Sequence, residues 1–159
     1  MTIDEDRMHL ARAIELARTT MRMNRGGPFG AVIVRAGAIL GQGANSVLGM
    51  SDPTAHAEVV AIRDASARIR SFSLKGSTIY ASSEPCPMCL AAIYWARIDR
   101  IVYAASCDVA AAAGFDDSFL YEELERPPEA RRIPMQQEES ADANALFFEW
   151  LSKPDKVRY

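Results

Sequence analysis

Two short segments about thirty positions apart hold the residues that most restrict how this chain can fold. The first reads HAE from His56, and the second reads PCPMC and contains Cys86 and Cys89. Imidazole and thiolate are preferred zinc ligands, and a catalytic zinc site has three protein ligands and leaves its fourth position for water. We therefore predict one zinc ion per subunit, held by His56, Cys86 and Cys89. The fold must bring the two segments together.

Strand and helix patterns alternate around these segments. The predicted strands are residues 31–35, 38–43, 77–82, 100–105 and 132–136. The predicted helices begin with a capping box at Thr2 and Glu5 and continue at about residues 56–70, 87–97, 118–125 and 141–151. This order predicts an α/β fold, a three-layer α/β/α arrangement around a mixed five-stranded sheet with some parallel pairs. Pro134 makes the last strand short or places it at an edge.

Composition indicates one globular domain that occupies residues 1–159. The sequence has 49% hydrophobic and 25% charged residues, with no internal repeat and no linker. Charged residues in the first twenty positions exclude a signal or membrane helix there. A net charge of −3 argues against nucleic acid as the main partner. Three cysteines, two of them in a CxxC pair, indicate a metal or redox site in a reducing compartment, and we expect a cytoplasmic protein.

Glu58 supplies the unligated carboxylate that a zinc hydrolase needs. Zinc lowers the pKa of bound water from 15.7 towards about 7, so a zinc-bound hydroxide becomes available as the nucleophile. Glu58 would then carry protons from this water to the ring and the departing amine. A lone CxxC also fits structural zinc or a redox pair. We expect His9 to be a surface or half-buried helix residue and Cys107 to be a small buried apolar residue, so neither predicts a fourth ligand.

With these motifs the chain resembles the cytidine deaminase superfamily and is similar to the bacterial guanine deaminases within it. The matching stretches are residues 26–34 (GGPFGAVIV), 52–62 (DPTAHAEVVAI), 84–97 (EPCPMCLAAIYWAR), 113–119 (AGFDDSF) and the terminal Tyr159. The resemblance implies a cytidine-deaminase-like fold and the hydrolysis of guanine to xanthine and ammonia, a reaction of purine catabolism.

The same resemblance implies a set of substrate-binding residues. They are Phe29, Asn45, Ala57, Trp95, Asp117 and Tyr159. Asp117 is also implied to be catalytic, as a relay for protons. The C-terminal segment of this family is exchanged between two subunits, so the resemblance implies a domain-swapped homodimer in which Tyr159 completes the partner's site.

Residue chemistry leaves other roles open for these positions. Phe29 and Trp95 are also typical core residues, Asn45 fits an Asx turn, and Asp116 is chemically equivalent to Asp117. The alternative functions are a tRNA adenosine deaminase, a deaminase of another aminopurine, cytosine or a triazine, and a non-enzymatic structural zinc module. We expect a small nucleobase as the substrate, with no membrane partner.

Overall fold

A computed structural model describes residues 2–158 of the chain. Helix α1, Ile3–Arg22, begins at the predicted capping box, in which Thr2 and Glu5 bind each other's backbone N–H groups. Strands β1, Gly30–Arg35, and β2, Ala38–Ala44, form the predicted hairpin. Its turn residues Ala36 and Gly37 both have positive φ, which is the geometry of a tight primed turn.

The remaining elements follow in an alternating order. They are α2 (Val47–Met50), α3 (Ala57–Ile69), β3 (Thr78–Ser83), α4 (Pro87–Trp95), β4 (Arg100–Ala105), α5 (Cys107–Ala112), α6 (Ser118–Glu125), a 3-10 helix (Pro128–Ala130) and α7 (Ala141–Ser152). The sheet has the order β2-β1-β3-β4, in which β1 is antiparallel to both neighbours and β3 is parallel to β4. The predicted mixed α/β architecture is confirmed, and the short helix α2 lies in a segment predicted as loop.

Two apolar clusters cover the two faces of the sheet. On one face, Val32, Val34 and Tyr80 pack with Ala13 of α1. On the other face, the alternate strand residues Ala31, Ile33 and Ile79 pack with residues of α3 and α4. Because successive strand residues point to opposite faces, this alternation produces the predicted three layers.

An ionic cluster fastens α1 to the sheet. The Arg100 guanidinium binds both carboxylate oxygens of Asp6, and the Tyr80 hydroxyl donates to the same carboxylate at 2.8 Å. Hydrogen bonds from Arg100 and Tyr80 lower the pKa of Asp6 to about 2. The His9 ring lies 4.9 Å from the Tyr80 ring and is buried, so the expectation of a surface or half-buried position for His9 was wrong.

Helix α3 contacts β2 at backbone distance. A Cβ atom at Gly43 would lie 2.3 Å from the carbonyl oxygen of Ala57, and one at Gly41 would lie 2.4 Å from the nitrogen of Ala65. The facing helix residues are also small, since Ala57, Ala61 and Ala65 are fully buried. Glycines opposite a row of alanines therefore set how close α3 can come to the sheet.

The described residues form two compact units, one up to Ser118 and one from Phe119 onwards. In the second unit, Glu123 pairs with both Arg126 and Arg132, and the Arg132 guanidinium lies over the Phe119 ring. The predicted single domain for residues 1–159, with an exchanged C-terminal segment, stays a prediction.

The predicted fifth strand, residues 132–136, was wrong, because the sheet has four strands among the described residues. The Arg132 N–H donates to the Glu123 side chain at 2.7 Å, and Pro134 has no N–H to donate. Neither residue therefore offers an N–H group to a strand ladder. No helix among the described residues is long and apolar enough to span a membrane.

Gly43→Ala should destabilise the protein, because the new methyl group meets the backbone of α3. Overpacking of this kind costs about 1–3 kcal/mol. Urea denaturation should show that loss, with Gly49→Ala as the matched control because its Cβ would meet Arg25 only at an ordinary 3.6 Å. Equal free energies of unfolding for the two variants would contradict the close packing of α3 on β2.

Candidate active site

The predicted zinc ligands lie at the starts of two helices. His56 is the N-cap of α3 and Cys86 is the N-cap of α4, with Pro87 at the first helical position. Cys89 follows in the first turn of α4 and is buried. Cys86 follows the carboxyl end of β3, and α3 is held against β2, so the fold brings the two motifs together as predicted.

The three ligand atoms have the spacing of a tetrahedral zinc site. His56 Nδ1 lies 3.6 Å from Cys86 Sγ and 3.5 Å from Cys89 Sγ. Zinc bonds of about 2.3 Å to sulfur and about 2.0 Å to nitrogen place tetrahedral neighbours about 3.5 Å apart. Among the described residues, these are the one group of three or more His, Cys, Asp or Glu side chains close enough to hold a metal. The donor set fits zinc and leaves the fourth position open.

The electrostatics of the ligands favour a cation. Hydrogen bonds from Cys89 and His56 lower the pKa of Cys86 to about 4, although burial opposes this. The hydrogen bond with Cys86, burial and the charge of Glu58 raise the pKa of Cys89. Without a metal, one thiolate therefore forms more readily than two. A bound dication supplies the charge that stabilises both thiolates.

Glu58 is buried in the first turn of α3. Its Oε2 accepts from the Cys89 thiol at 3.4 Å, and burial raises the pKa of its carboxyl group. A carboxyl group with a raised pKa exchanges protons closer to neutral pH than an exposed one does. Glu58 is thus placed beside the ligands but is not one of them.

A cavity of about 550 Å³ opens beside these residues. It is lined by Gly26, Gly27, Phe29, Asn45, Val47, Leu48, His56, Glu58, Ser83, Glu84, Cys86, Cys107, Ala110, Phe115, Asp116 and Asp117. Ser83 is the last residue of β3, and Cys107 lies two residues after the end of β4. The carboxyl ends of the two parallel strands therefore meet at the cavity. This is the usual location of ligand sites in α/β sheets.

Asn45 lines the cavity with a side chain in a fixed orientation. Its Oδ1 accepts from the backbone N–H groups of Gly27 at 3.2 Å and Val47 at 3.4 Å. Because backbone N–H groups only donate, the amide NH₂ group remains available to a ligand. A Cβ atom at Gly26 would lie 2.3 Å from Asn45 Oδ1, so this glycine makes room for the amide. The Asx-turn and ligand-binding interpretations of Asn45 are therefore compatible.

Aromatic rings and carboxylates form other walls of the cavity. The Phe29 and Phe115 rings meet edge to face at 4.9 Å. Burial raises the pKa of the half-buried Asp117, with further contributions from Cys86, Asp116 and Glu84. Asp116 is exposed and accepts from the Ser118 N–H at 2.9 Å, and hydrogen bonds from the side chain and backbone of Ser118 lower the pKa of its carboxyl group. Both aspartates line the cavity, but their environments differ.

Three predicted substrate-binding residues are not among those lining the cavity. Trp95, at the end of α4, is 72% exposed. Ala57 is fully buried between the ligand His56 and Glu58. Tyr159 lies outside the described residues. Their predicted roles in substrate binding stay predictions.

Among the cavity-lining residues that sequence reasoning did not predict are Phe115, Glu84 and Cys107. Phe115 precedes Asp116 in a matched motif, and its aromatic side chain next to two carboxylates was the available signal. Glu84, next to the cysteine motif, accepts from the Cys107 N–H at 3.2 Å. Cys107 is exposed and lines the cavity, so the expectation that it is buried was wrong.

The chain is similar to known deaminases over its motifs and well beyond them. Residues 2–105 match the family described as the cytidine and deoxycytidylate deaminase zinc-binding region. The chain is 48% identical over 150 residues to a guanine deaminase of Bacillus subtilis, which covers 94% of this chain and 96% of that protein. The X-ray structure of a guanine deaminase from that organism has a TM-score of 0.94 at 46% identity, covering 100% of this chain and 99% of the other.

A second class of relatives matches a shorter region. A tRNA-specific adenosine deaminase of Haemophilus influenzae is 43% identical over 104 residues. That match covers 62% of this chain and 60% of the relative. The similarity to this class is thus limited to part of each protein.

Zinc content should depend on Cys86 and Cys89 but not on Cys107. Cys86→Ser and Cys89→Ser each remove a thiolate ligand, and we expect both variants to lose stoichiometric zinc by atomic absorption after purification. Cys107→Ser is the matched control and should retain one ion per chain, because Cys107 is outside the ligand group. Full zinc content in both ligand variants would rule out this site.

Proposed function

The chain belongs to the cytidine and deoxycytidylate deaminase zinc-binding family, and we propose that this enzyme hydrolyses guanine to xanthine and ammonia. The observation that carries the proposal is the similarity to the guanine deaminase of Bacillus subtilis over 94% of this chain. That similarity includes the cavity walls as well as the zinc motif. The cavity, about 550 Å³, lies in the size range of small-molecule sites.

His56, Cys86 and Cys89 would hold the zinc ion, which when bound activates water for attack on the carbon that bears the amino group. Glu58 is the proposed proton carrier. Its burial and raised pKa allow it to take a proton near neutral pH and to release it to the ring nitrogen and then to the leaving amine. The ammonia that leaves therefore receives its proton from a residue within the cavity.

We propose that Asp117 and Asn45 read the polar edge of guanine. The half-buried carboxylate of Asp117 is an acceptor for the ring N–H and amino donors, and its raised pKa also suits a relay of protons. The NH₂ group of Asn45 is a donor for the ring nitrogen or carbonyl acceptors. Phe29, edge to face with Phe115, supplies an apolar wall for the purine ring.

We also propose a domain-swapped homodimer in which Tyr159, together with Ala57 and Trp95, completes the substrate sites. Helix α7 exposes large apolar side chains, among them Leu146, Phe147 and Phe148. Exposure of apolar side chains to water is unfavourable, and a second subunit would bury this surface. Thiol ligands remain reduced in the cytoplasm, which is where we propose that the enzyme acts.

A tRNA adenosine deaminase is the second candidate, and the charge of the chain argues against it. The net charge is −3, and no lysine or arginine is among the described residues that line the cavity. A nucleic-acid substrate needs cations along its phosphate backbone. Free guanine carries no phosphate, so its binding needs no such cations.

Ammonia release from guanine, adenine, cytosine, guanosine and an aminotriazine tests the proposed reaction. We expect the highest kcat/KM for guanine. Glu58→Gln should lower kcat by about 10²-fold or more while zinc content stays unchanged, because the proton carrier is lost but the ligands remain. Glu15→Gln, an exposed change on α1, is the control. A preference for another base would change the substrate, and full activity of Glu58→Gln would refute the mechanism.

Mixed dimers test the exchange of the C-terminal segment. Glu58→Gln and Tyr159→Ala are each expected to be poorly active. If Tyr159 acts in the partner's site, dimers refolded from an equal mixture should regain activity, because one subunit then supplies Glu58 to a site that receives Tyr159 from the other. The absence of any regained activity in heterodimers isolated by affinity tags would contradict the exchange.

A further inference from the structure

Four carboxylates line the cavity, and the structure describes no lysine or arginine beside them. They are Glu58 of α3, Glu84 after β3, and Asp116 and Asp117 ahead of α6. The other ionisable lining residues are His56, Cys86 and Cys107. Zinc with two thiolates and a neutral imidazole has no net charge. The charge that a ligand meets in the cavity is therefore negative.

Backbone N–H groups hold the Glu84 and Asp116 side chains in place in the lining of the cavity. Glu84 Oε2 accepts from the Cys107 N–H, and Asp116 Oδ1 accepts from the Ser118 N–H. Hydrogen bonds from Ser118 lower the pKa of the Asp116 carboxyl group and so favour its ionised form. Burial raises the pKa of Asp117, and the nearby charges of Cys86, Asp116 and Glu84 add to this shift. The proposed reaction gives roles to Glu58 and Asp117 but none to Glu84 and Asp116.

The proposed reaction changes the acidity of the purine. Guanine has an amino group on the carbon between two ring nitrogens, and xanthine has a carbonyl group there. An N–H flanked by two carbonyl groups is more acidic, so xanthine ionises at a lower pH than guanine. Around and above neutral pH, the substrate is neutral and a growing share of the product is an anion.

We propose that Glu84 and Asp116 are specificity determinants that weaken the binding of the anionic product relative to the neutral substrate. This inference rests on the proposed deamination of guanine. Each carboxylate acts across several ångströms of a partly solvated cavity, where one unit charge changes the affinity for an anion by about 3- to 10-fold. The two residues thereby limit product inhibition and assist release of xanthine.

Equilibrium binding of xanthine to the zinc-loaded protein tests this proposal. Glu84→Gln and Asp116→Asn each remove a charge but keep the oxygen that accepts the local N–H. We expect each variant to bind xanthine about 3- to 10-fold more tightly at a pH where xanthine is anionic, and with unchanged affinity where it is neutral. Hypoxanthine, which stays neutral to higher pH, should show no such change.

Asp99→Asn is the matched control for net charge. Asp99 is exposed and directly precedes β4, whereas Cys107 follows the other end of that strand. The Asp99→Asn variant should bind xanthine with the same affinity as the unmodified protein at all pH values. In the unmodified protein itself, raising the ionic strength should tighten the binding of anionic xanthine, because salt screens like charges.

Each result supports or overturns the inference. Tighter binding of the anion in the variants, together with the salt effect, supports it. The inference is overturned if both variants bind xanthine with the affinity of the unmodified protein at every pH, or if salt does not change xanthine binding to the unmodified protein. Either result leaves the proposed guanine turnover unaffected. Absence of guanine turnover in the unmodified, zinc-loaded protein instead refutes the proposed function.

Discussion

The close contact between α3 and β2 is the constraint on which the rest of the site depends. Gly41 and Gly43 place no side chain between strand and helix. The facing helix residues Ala57, Ala61 and Ala65 are small and buried, so the backbone of α3 packs directly on β2. This contact fixes the first turn of α3, and with it His56 and Glu58. Helix α4 is fixed separately, because Cys86 follows β3 directly. Two helix starts thus meet beside the same sheet edge, and three ligand atoms meet between them.

Charge explains how the same edge serves both the metal and a ligand. The two cysteines disfavour double ionisation in the absence of a cation, since the pKa of Cys86 is lowered and that of Cys89 is raised. A dication neutralises them, and the carboxylates around the cavity then determine its field. Buried Glu58 holds a proton more readily than an exposed glutamate does. Hydrogen bonds from the Ser118 hydroxyl and backbone N–H instead lower the pKa of Asp116.

Relatives with two different substrates share the zinc motif, so the motif alone does not choose between them. The match to the guanine deaminase of Bacillus subtilis extends over almost the whole chain, while the match to a tRNA-specific adenosine deaminase covers 62% of it. The longer match includes Asp116 and Asp117, which line the cavity. The proposed choice of guanine therefore rests on the match over almost the whole chain and not on the zinc motif.

The sequence by itself determined four of the five predicted strands, the long helices and the metal ligands. Local rules suffice for the capping box at Thr2, the turn at Ala36 and Gly37, and the helix that begins at Pro87, because each depends on neighbours in the chain. Zinc chemistry likewise restricts the ligands to a few residue types. Tertiary structure alone decided that residues 132–136 form no strand, that Trp95 is exposed, and that Glu84, Cys107 and Phe115 share one wall. These outcomes depend on contacts between residues distant in sequence, which residue spacing does not encode.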